Sequence, residues 1–311
     1  MKILLVRNDN IGDLICTTPA IEALRKKYPD AQIDIVVNSY NFLAINKNPF
    51  VDKIYVYIKP KHKKNLSDKI KALGGKIKIM SEIFFEKYDA AVVFRSGYSS
   101  SAEQFSNISR AKIKIGVKDI KNRDNFTHHI IPNPNEHEVE FCYRCLEPLR
   151  IKQGDEKMFF YMPENFKKKY KGYKNYILFH ISSRIKENRY SKEKFKAVID
   201  KLDENIIITA EPSDFENAKW LEENSKAKWI KTESLLDLAG LISNVKLFVS
   251  LDGGAMHIGP ALGVKTIAIS GKTNMNKWYP WGYKDLVTQD ESKIAGNIEP
   301  EIVVEKIKEN I

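Results

Sequence analysis

Apolar positions in this chain fall into two kinds of pattern that alternate. Short runs of four to six apolar or β-branched residues read as buried strands. Between them, apolar residues recur at helical spacing. "KILLVR" (2–7) predicts a strand and residues 13–27 a helix; "QIDIVV" (32–37) and "KIYVYI" (53–58) predict the next two strands. A helical stretch around 76–87 precedes a fourth strand, "DAAVVF" (89–94). "AKIKIGV" and "THHIIP" look like further strands, and a helix runs from Glu136 to about Leu149. After a Lys-rich stretch, "ENFKKKYKGYK" (164–174), the pattern restarts. "NYILFHISS", "NIIITA", "KLFVSLD" and "VKTIAIS" are strands. "SKEKFKAVIDKL", "SDFENAKWLEEN", "LLDLAGLISN" and "GAMHIGPALG" are helices, with Ser191 a candidate N-cap. The last helix is predicted at 300–309.

Strand–helix alternation of this kind predicts parallel sheets in two successive α/β halves, with a boundary near 160–172 and no sequence repeat between them. Two doubly wound domains in tandem are expected to enclose a cleft, with ligands at the carboxyl ends of the strands. That directs attention to the loops 7–13, 94–101, 180–190, 209–214, 250–257 and 270–282.

Composition narrows the class. The chain has 311 residues, 43% hydrophobic and 29% charged, the balance of an ordinary globular protein. No apolar run approaches the ~20 residues of a membrane helix. The apolar start is shorter than the roughly 7–15 residues of a secretory signal, which predicts a cytoplasmic protein. Three cysteines (Cys16, Cys142, Cys145) give no disulfide framework. The net charge of +11 favours an anionic partner: nucleic acid, a phosphorylated metabolite or an anionic membrane surface.

Four motifs carry candidate chemistry. In "RNDNIGD" (7–13) a single glycine follows the first strand, so neither the dinucleotide fingerprint nor the P-loop is present. Gly12 would let the backbone pass close to a ligand. Asp13 is either a helix N-terminal carboxylate favoured by the dipole or a general base facing the cleft. "SLDGGAMHIGPALG" (250–263) sets Asp252, Gly253, Gly254 and His257 at a strand–helix turn, where free backbone N–H groups suit a phosphate; the plain alternative is a tight turn capped by Asp252. "HISSRIKENRYSKEKF" places Ser182 and Ser183 before Arg184, Lys186 and Arg189, a set that suits a diphosphate but also describes an exposed basic loop. The stretch 59–78 holds eight lysines and reads as a solvated face, a mobile loop, or a docking surface for an anionic acceptor or membrane. Cys142-x-x-Cys145 lies inside a predicted helix and reads as packing rather than a metal site. The absence of any Asp-x-Asp argues against a metal-dependent, single-domain glycosyltransferase.

"ILLVRNDNIGDLICTTPAIEALRKKYPDAQIDIVV" resembles the N-terminus of the ADP-heptose:lipopolysaccharide heptosyltransferases, glycosyltransferase family nine, including the Thr18-Pro19-Ala20 step. "SLLDLAGLISNVKLFVSLDGGAMHIGPALGVKTIAISGKTN" resembles their C-terminal motif, and "KWYPWG" the Trp-x-Pro that follows it. The resemblance spans essentially the whole chain. It implies α/β architecture of the GT-B type: two Rossmann-like doubly wound domains facing across a cleft, 1–165 binding the acceptor and 166–311 the nucleotide-sugar, with the final helix packing back on the first. It implies an inverting transfer that uses no metal or other cofactor. The resemblance implies ADP-heptose as the donor and an anionic, lipid-linked oligosaccharide of the lipopolysaccharide or lipooligosaccharide inner core as the acceptor. The enzyme would be cytoplasmic, peripheral at the inner-membrane surface, with no nucleic-acid partner.

By the same resemblance Asp13 is the general base. Ser182, Ser183, Lys186 or Arg189, Asp252, Gly253, Gly254 and His257 meet the donor, and Glu211 or Asp214 holds its ribose. Asn10 and Gly12, with Lys61, Lys63 and Lys64, meet the acceptor. Two departures stand out: Gly253 replaces the usual Ser/Thr, and Asn188-Arg189-Tyr190-Ser191 replaces the family's Lys-x-Trp-Pro step. They motivate an alternative, the same fold acting on another nucleotide-sugar or acceptor, such as a capsule glycan or a protein; a further alternative, a non-catalytic basic binding module for nucleic acid or membrane, is opposed by the intact Asp13, Asp252 and His257 set.

Overall fold

A computed structural model describes residues 1–59 and 65–311. The chain divides into two units, Met1–Tyr161 and Met162–Ile311. The first runs β1 (Lys2–Val6), α1 (Ile11–Lys27), β2 (Gln32–Asn38), β3 (Lys53–Tyr57), α2 (Leu66–Glu86), β4 (Ala90–Val93), α3 (Ser100–Ile108), β5 (Ile113–Val117), β6 (His128–Ile130) and α4 (Glu138–Arg144). The second runs α5 (Glu164–Lys169), β7 (Tyr176–His180), α6 (Lys192–Asp200), β8 (Asn205–Thr209), α7 (Phe215–Asn224), β9 (Lys228–Trp229), α8 (Leu235–Ile242), β10 (Leu247–Leu251), α9 (Ile258–Ala261), β11 (Thr266–Ser270), α10 (Met275–Trp278), β12 (Val287–Gln289) and α11 (Pro300–Lys308).

Each unit holds a six-stranded parallel sheet. The orders are β3-β2-β1-β4-β5-β6 and β12-β11-β10-β7-β8-β9. Numbered from the first strand of its own unit, the second sheet repeats the order of the first. The same topology is therefore built twice from sequences without a visible repeat. In a sheet of this order the winding reverses between the first and fourth strands, and crevices open there at the carboxyl edge. Those strand pairs are β1/β4 and β7/β10.

The central strands explain why the apolar runs were legible. Ile3, Leu4, Leu5 and Val6 are all fully buried, because helices cover both faces of a parallel sheet. Each such side chain contributes about 1.5–3 kcal/mol of burial. One core packs Leu4, Val6, Val36, Val93 and Phe105; the other packs Phe179, Phe195, Ile208, Val249 and Ile269. The Thr18-Pro19 step has a local cause. Pro19 sits inside α1 and cannot donate to the Ile15 carbonyl; the Thr18 hydroxyl donates to that oxygen instead, at 2.7 Å, and accepts from the Phe159 N–H at 2.8 Å.

Several elements differ from expectation. Helix α1 starts at Ile11, two residues ahead of the expected 13, so Gly12 lies inside its first turn beside Asp13 rather than before the helix. Helix α2 starts at Leu66, ten residues ahead of the expected 76, and absorbs residues 66–78 of the lysine-rich stretch. Lys61, Lys63 and Lys64 lie outside the described residues. The expected helix 254–263 divides into a 3-10 turn, Gly254–His257, and α9. Within the second unit the last helix, α11, packs on α6 and β11. Among the described residues, no helix is long and apolar enough to cross a membrane.

Candidate active site

The first unit places a buried charge cluster just after β1. Arg7 ends the apolar run yet is fully buried. Its Nη2 donates to Asp13 Oδ1 at 2.9 Å and to Glu138 Oε1 at 2.8 Å; its Nη1 donates to the Phe94 carbonyl and lies 3.9 Å from Cys142 Sγ. Its Nε is 2.9 Å from Asp9 Oδ1. One guanidinium thus faces three carboxylates, drawn from the β1 loop (Asp9), α1 (Asp13) and α4 (Glu138). Burial alone would lower the Arg7 pKa, but Asp9, Glu138 and Asp13 outweigh it and hold the charge well above the ordinary range. Burial lifts Asp9 to about 6 against the pull of Arg7.

Amides fix the loop that carries this cluster. Asn41 Nδ2 donates to the Arg7 carbonyl at 3.1 Å, and Asn38 Nδ2 to the Asp9 carbonyl at 3.2 Å. Asn8 joins Tyr57 and Arg95 through its own amide. Asn10 is the extended N-cap of α1 and Gly12 is buried in its first turn. Asp13 keeps 16% of its side chain exposed, so it is held from behind by Arg7 and still reaches solvent. Cys142 and Cys145 are buried free thiols, and burial pushes Cys142 up to about 12. Among the described residues no cluster of three His, Cys, Asp or Glu side chains has metal-binding geometry.

The second unit places a different set at the equivalent edge. Asp252 follows β10 and is buried. Its Oδ2 accepts from Asn188 Nδ2 and from Thr273 Oγ1, both at 2.6 Å. Asn188 is fully buried; its Oδ1 accepts from the backbone N–H groups of Gly271 and Lys272 at 3.0 and 2.8 Å. One amide therefore ties together the loops after β7, β10 and β11. Gly271 must be glycine for this approach, since a Cβ there would collide with the Glu187 carbonyl. Burial raises the Asp252 carboxyl above its ordinary range, with the Thr273 hydroxyl opposing.

Ser183 Oγ donates to the Asp252 carbonyl at 2.9 Å, and Ser182 Oγ accepts from the Glu211 N–H at 2.9 Å. Arg189 Nε donates to the Ser183 carbonyl at 2.9 Å. Lys186, Arg189 and Asp214 share the lining of a cavity of about 480 Å³. The Glu211 side chain is exposed, while Asp214 is buried and accepts from Ser213 Oγ at 2.9 Å. Gly253 is extended, and a Cβ there would meet nothing within 4 Å. His257 is buried, its ring 6.1 Å from that of Trp278. A larger cavity, about 820 Å³, is lined by Glu140 and Arg144 of α4 and by Glu147 of the turn after it; it holds none of the predicted site residues.

The predicted site residues thus gather at the carboxyl edges of their own sheets: Asn10, Gly12 and Asp13 after β1, and the donor set after β7, β8 and β10. Sequence reasoning missed Arg7, Asp9, Glu138 and Thr273, and took Asn188 only as a departure from a motif. An arginine directly continuing a fully apolar strand was the one local signal for Arg7. Glu138 had none, because its partner lies 131 residues away.

Comparison with known proteins bears on the family and the fold. The family described as Glycosyltransferase family 9 (heptosyltransferase) matches residues 134–301. Lipopolysaccharide heptosyltransferase 3 of Escherichia coli is 26% identical over 315 residues, covering 90% of this chain and 89% of that protein. The solved glycosyl transferase family 9 structure from Veillonella parvula superposes with a TM-score of 0.86 at 21% identity, covering 99% and 96% of the two chains. E. coli heptosyltransferase WaaC, solved with ADP, gives 0.82 at 20% identity over the whole of both chains.

Proposed function

This chain belongs to glycosyltransferase family 9 and is a glycosyltransferase, and we propose that it moves heptose from ADP-heptose to the inner core of lipopolysaccharide or lipooligosaccharide, inverting the anomeric centre without a metal. The observation that carries this reading is the pairing of two unlike sites at one topological position: an anchored carboxylate after β1 and a hydroxyl, amide and cation set after β7 and β10. The names of its relatives supply the heptose and the lipopolysaccharide. The ADP in the WaaC structure supports the nucleotide.

In this reading Asp13 takes the proton from the acceptor hydroxyl. The freed oxygen attacks the anomeric carbon as the bond to the diphosphate breaks, and the leaving charge stays on the nucleotide. Arg7 keeps the Asp13 carboxylate oriented. With no metal, the diphosphate is met by Ser182, Ser183, the N–H groups at Gly253 and Gly254, His257 and a cation. Arg189 is the better-placed cation, because its Nε is already anchored beside Ser183; Lys186 is the other candidate. Glu211 suits the ribose better than Asp214, since its carboxylate is exposed. Asn10 and Gly12 line the acceptor side, and Lys61, Lys63 and Lys64 meet its phosphates. The acceptor is lipid-linked, which puts the enzyme at the cytoplasmic face of the inner membrane.

Calorimetric titration of ADP, UDP and GDP into the purified protein tests the donor. Selective ADP binding is expected. Preference for UDP or GDP would keep the Asp13 chemistry and move the function to another nucleotide-sugar, the reading favoured by Asn188 and Gly253. Binding of none would leave a non-catalytic binding module.

A further inference from the structure

Helix α2 is apolar on two opposite sides, and only one of them is used by the fold. Ala72 and Ile83 are buried, and Ile79 and Met80 pack against the core of the first unit. On the other side Leu66, Ile70, Leu73 and Ile77 are 74%, 62%, 50% and 58% exposed. Their spacing of four, three and four residues puts them in one row along the helix. Phe84 extends the row, with Arg110 4.9 Å over its ring and the exposed Phe85 packed edge-on against it at 5.3 Å. Single exposed apolar residues are commonplace; a continuous row of large ones marks a contact surface.

Charge chooses the partner. Lys69, Lys71 and Lys78 are exposed on the flanks of the row, and residues 66–78 of α2 carry four lysines against one acid, Asp68. The remaining acids of the helix are taken up elsewhere, Glu82 by Lys53 at 3.1 Å and Glu86 by Lys2 at 2.6 Å. A second copy of this helix would bring like charges together. A nucleic acid would leave the apolar row unused. A bilayer with anionic headgroups satisfies both features: acyl chains take the row and headgroups take the lysines on either side.

We propose that the outward face of α2 is the surface by which this protein docks on an anionic phospholipid membrane, lying in the plane of the interface. The proposal gives the lipid-linked acceptor named above a physical docking element, and it is testable apart from that reading because it requires no sugar transfer.

Flotation of the full chain with vesicles of equal parts phosphatidylglycerol and phosphatidylcholine, against phosphatidylcholine alone, tests it. Binding to the anionic vesicles is expected, weakening as salt rises. Lys69→Gln/Lys71→Gln/Lys78→Gln should weaken partitioning roughly a hundredfold. Ile70→Ser/Leu73→Ser/Ile77→Ser should weaken it about tenfold or more, while Ile302→Ser, an exposed apolar residue on α11, should change nothing. The ADP affinity and circular dichroism of each variant report folding, and single Leu73→Glu provides a second route if the triple variant is unstable. Equal binding to neutral vesicles, no binding to either, or wild-type flotation of both the apolar variants would overturn the proposal. So would a wild-type dimer that the apolar triple variant converts to monomer with no vesicle binding, which would make the face an interface between copies. Loss of ADP binding with flotation intact would overturn the donor assignment and leave the docking face standing.

Discussion

The two candidate sites occupy the same position in the same topology, yet they are built from opposite materials. After β1, a buried guanidinium faces Asp9, Asp13 and Glu138. After β7 and β10, Asp252 is buried against the Asn188 amide and the Thr273 hydroxyl, with no cation among its side-chain hydrogen-bond donors in the described residues. The first arrangement fixes the orientation of its carboxylates against one buried cation. The second is a lattice of directed hydrogen bonds that shapes three loops. The first supplies a fixed orientation to a partly exposed carboxylate; the second supplies a fixed shape to three loops.

Removing the working atom at each site separates the roles most sharply. Asp13→Asn keeps a neutral acceptor for Arg7, so the fold and nucleotide binding should persist while turnover falls about 10²–10⁴-fold, the usual share of a general base. Steady-state kinetics with a core acceptor checks this, and near wild-type turnover would take Asp13 out of the mechanism. Arg7→Leu attacks the same cluster from behind. Asp13 and Glu138 then lose Arg7 and Asp9 is left to Arg95 at 3.8 Å, and urea denaturation should show a loss of about 3–5 kcal/mol. Adding Glu138→Leu should recover part of it; an unchanged midpoint for Arg7→Leu alone would mean the cluster is not an energetic unit.

The second site should respond differently. Asn188→Ala leaves the Gly271 and Lys272 N–H groups and one Asp252 oxygen short of a partner, at a cost of about 1–3 kcal/mol. Nucleotide affinity should fall and acceptor KM stay put. A fall in acceptor affinity alone would break the comparison.

Acidity offers a further contrast, because the two units carry buried groups of opposite sign. Asp9 sits near 6 in the folded protein against an ordinary 3.8, so the native state retains a proton the unfolded chain has released; its contribution is lost as pH rises through that window. His180 is pushed down by burial from 6.5 to about 4, so the native state refuses a proton the unfolded chain takes; its contribution is lost as pH falls. Asp9→Asn should therefore steepen the rise of stability between pH 4 and 6.5, and His180→Gln should flatten it, each by on the order of 1–3 kcal/mol across the window. Urea midpoints at several pH values decide this; identical slopes would deny that either group is buried as described. The smallest change is Gly253→Ser. Its extended backbone and open surroundings admit a Cβ, so thermal stability should hold, and one added hydroxyl at the loop should tighten nucleotide binding a few-fold, about 1 kcal/mol. Weaker binding would show that this family departure is itself adapted to the ligand.

Period and run length carried the βα alternation, ten of the twelve described strands and the loops where chemistry collects, because a strand covered on both faces has to be apolar throughout; the short strands β9 and β12 were missed. Helix α2 was read short for the converse reason. Its apolar residues serve two faces, and with Gly74-Gly75 and the lysines between them the single helical period is blurred. Asp13 and Asp252 were legible because each follows a strand within a few residues. What only tertiary structure decided is who holds them. Arg7 reaches Glu138 across 131 residues, and Asn188 reaches Gly271 across 83. Such partners are chosen by where strands and helices bring side chains together, and in a buried, low-dielectric place that choice sets charge state and geometry. The sequence determined which atoms were on offer at each strand end; packing determined which of them is held against a buried cation and which ties loops together.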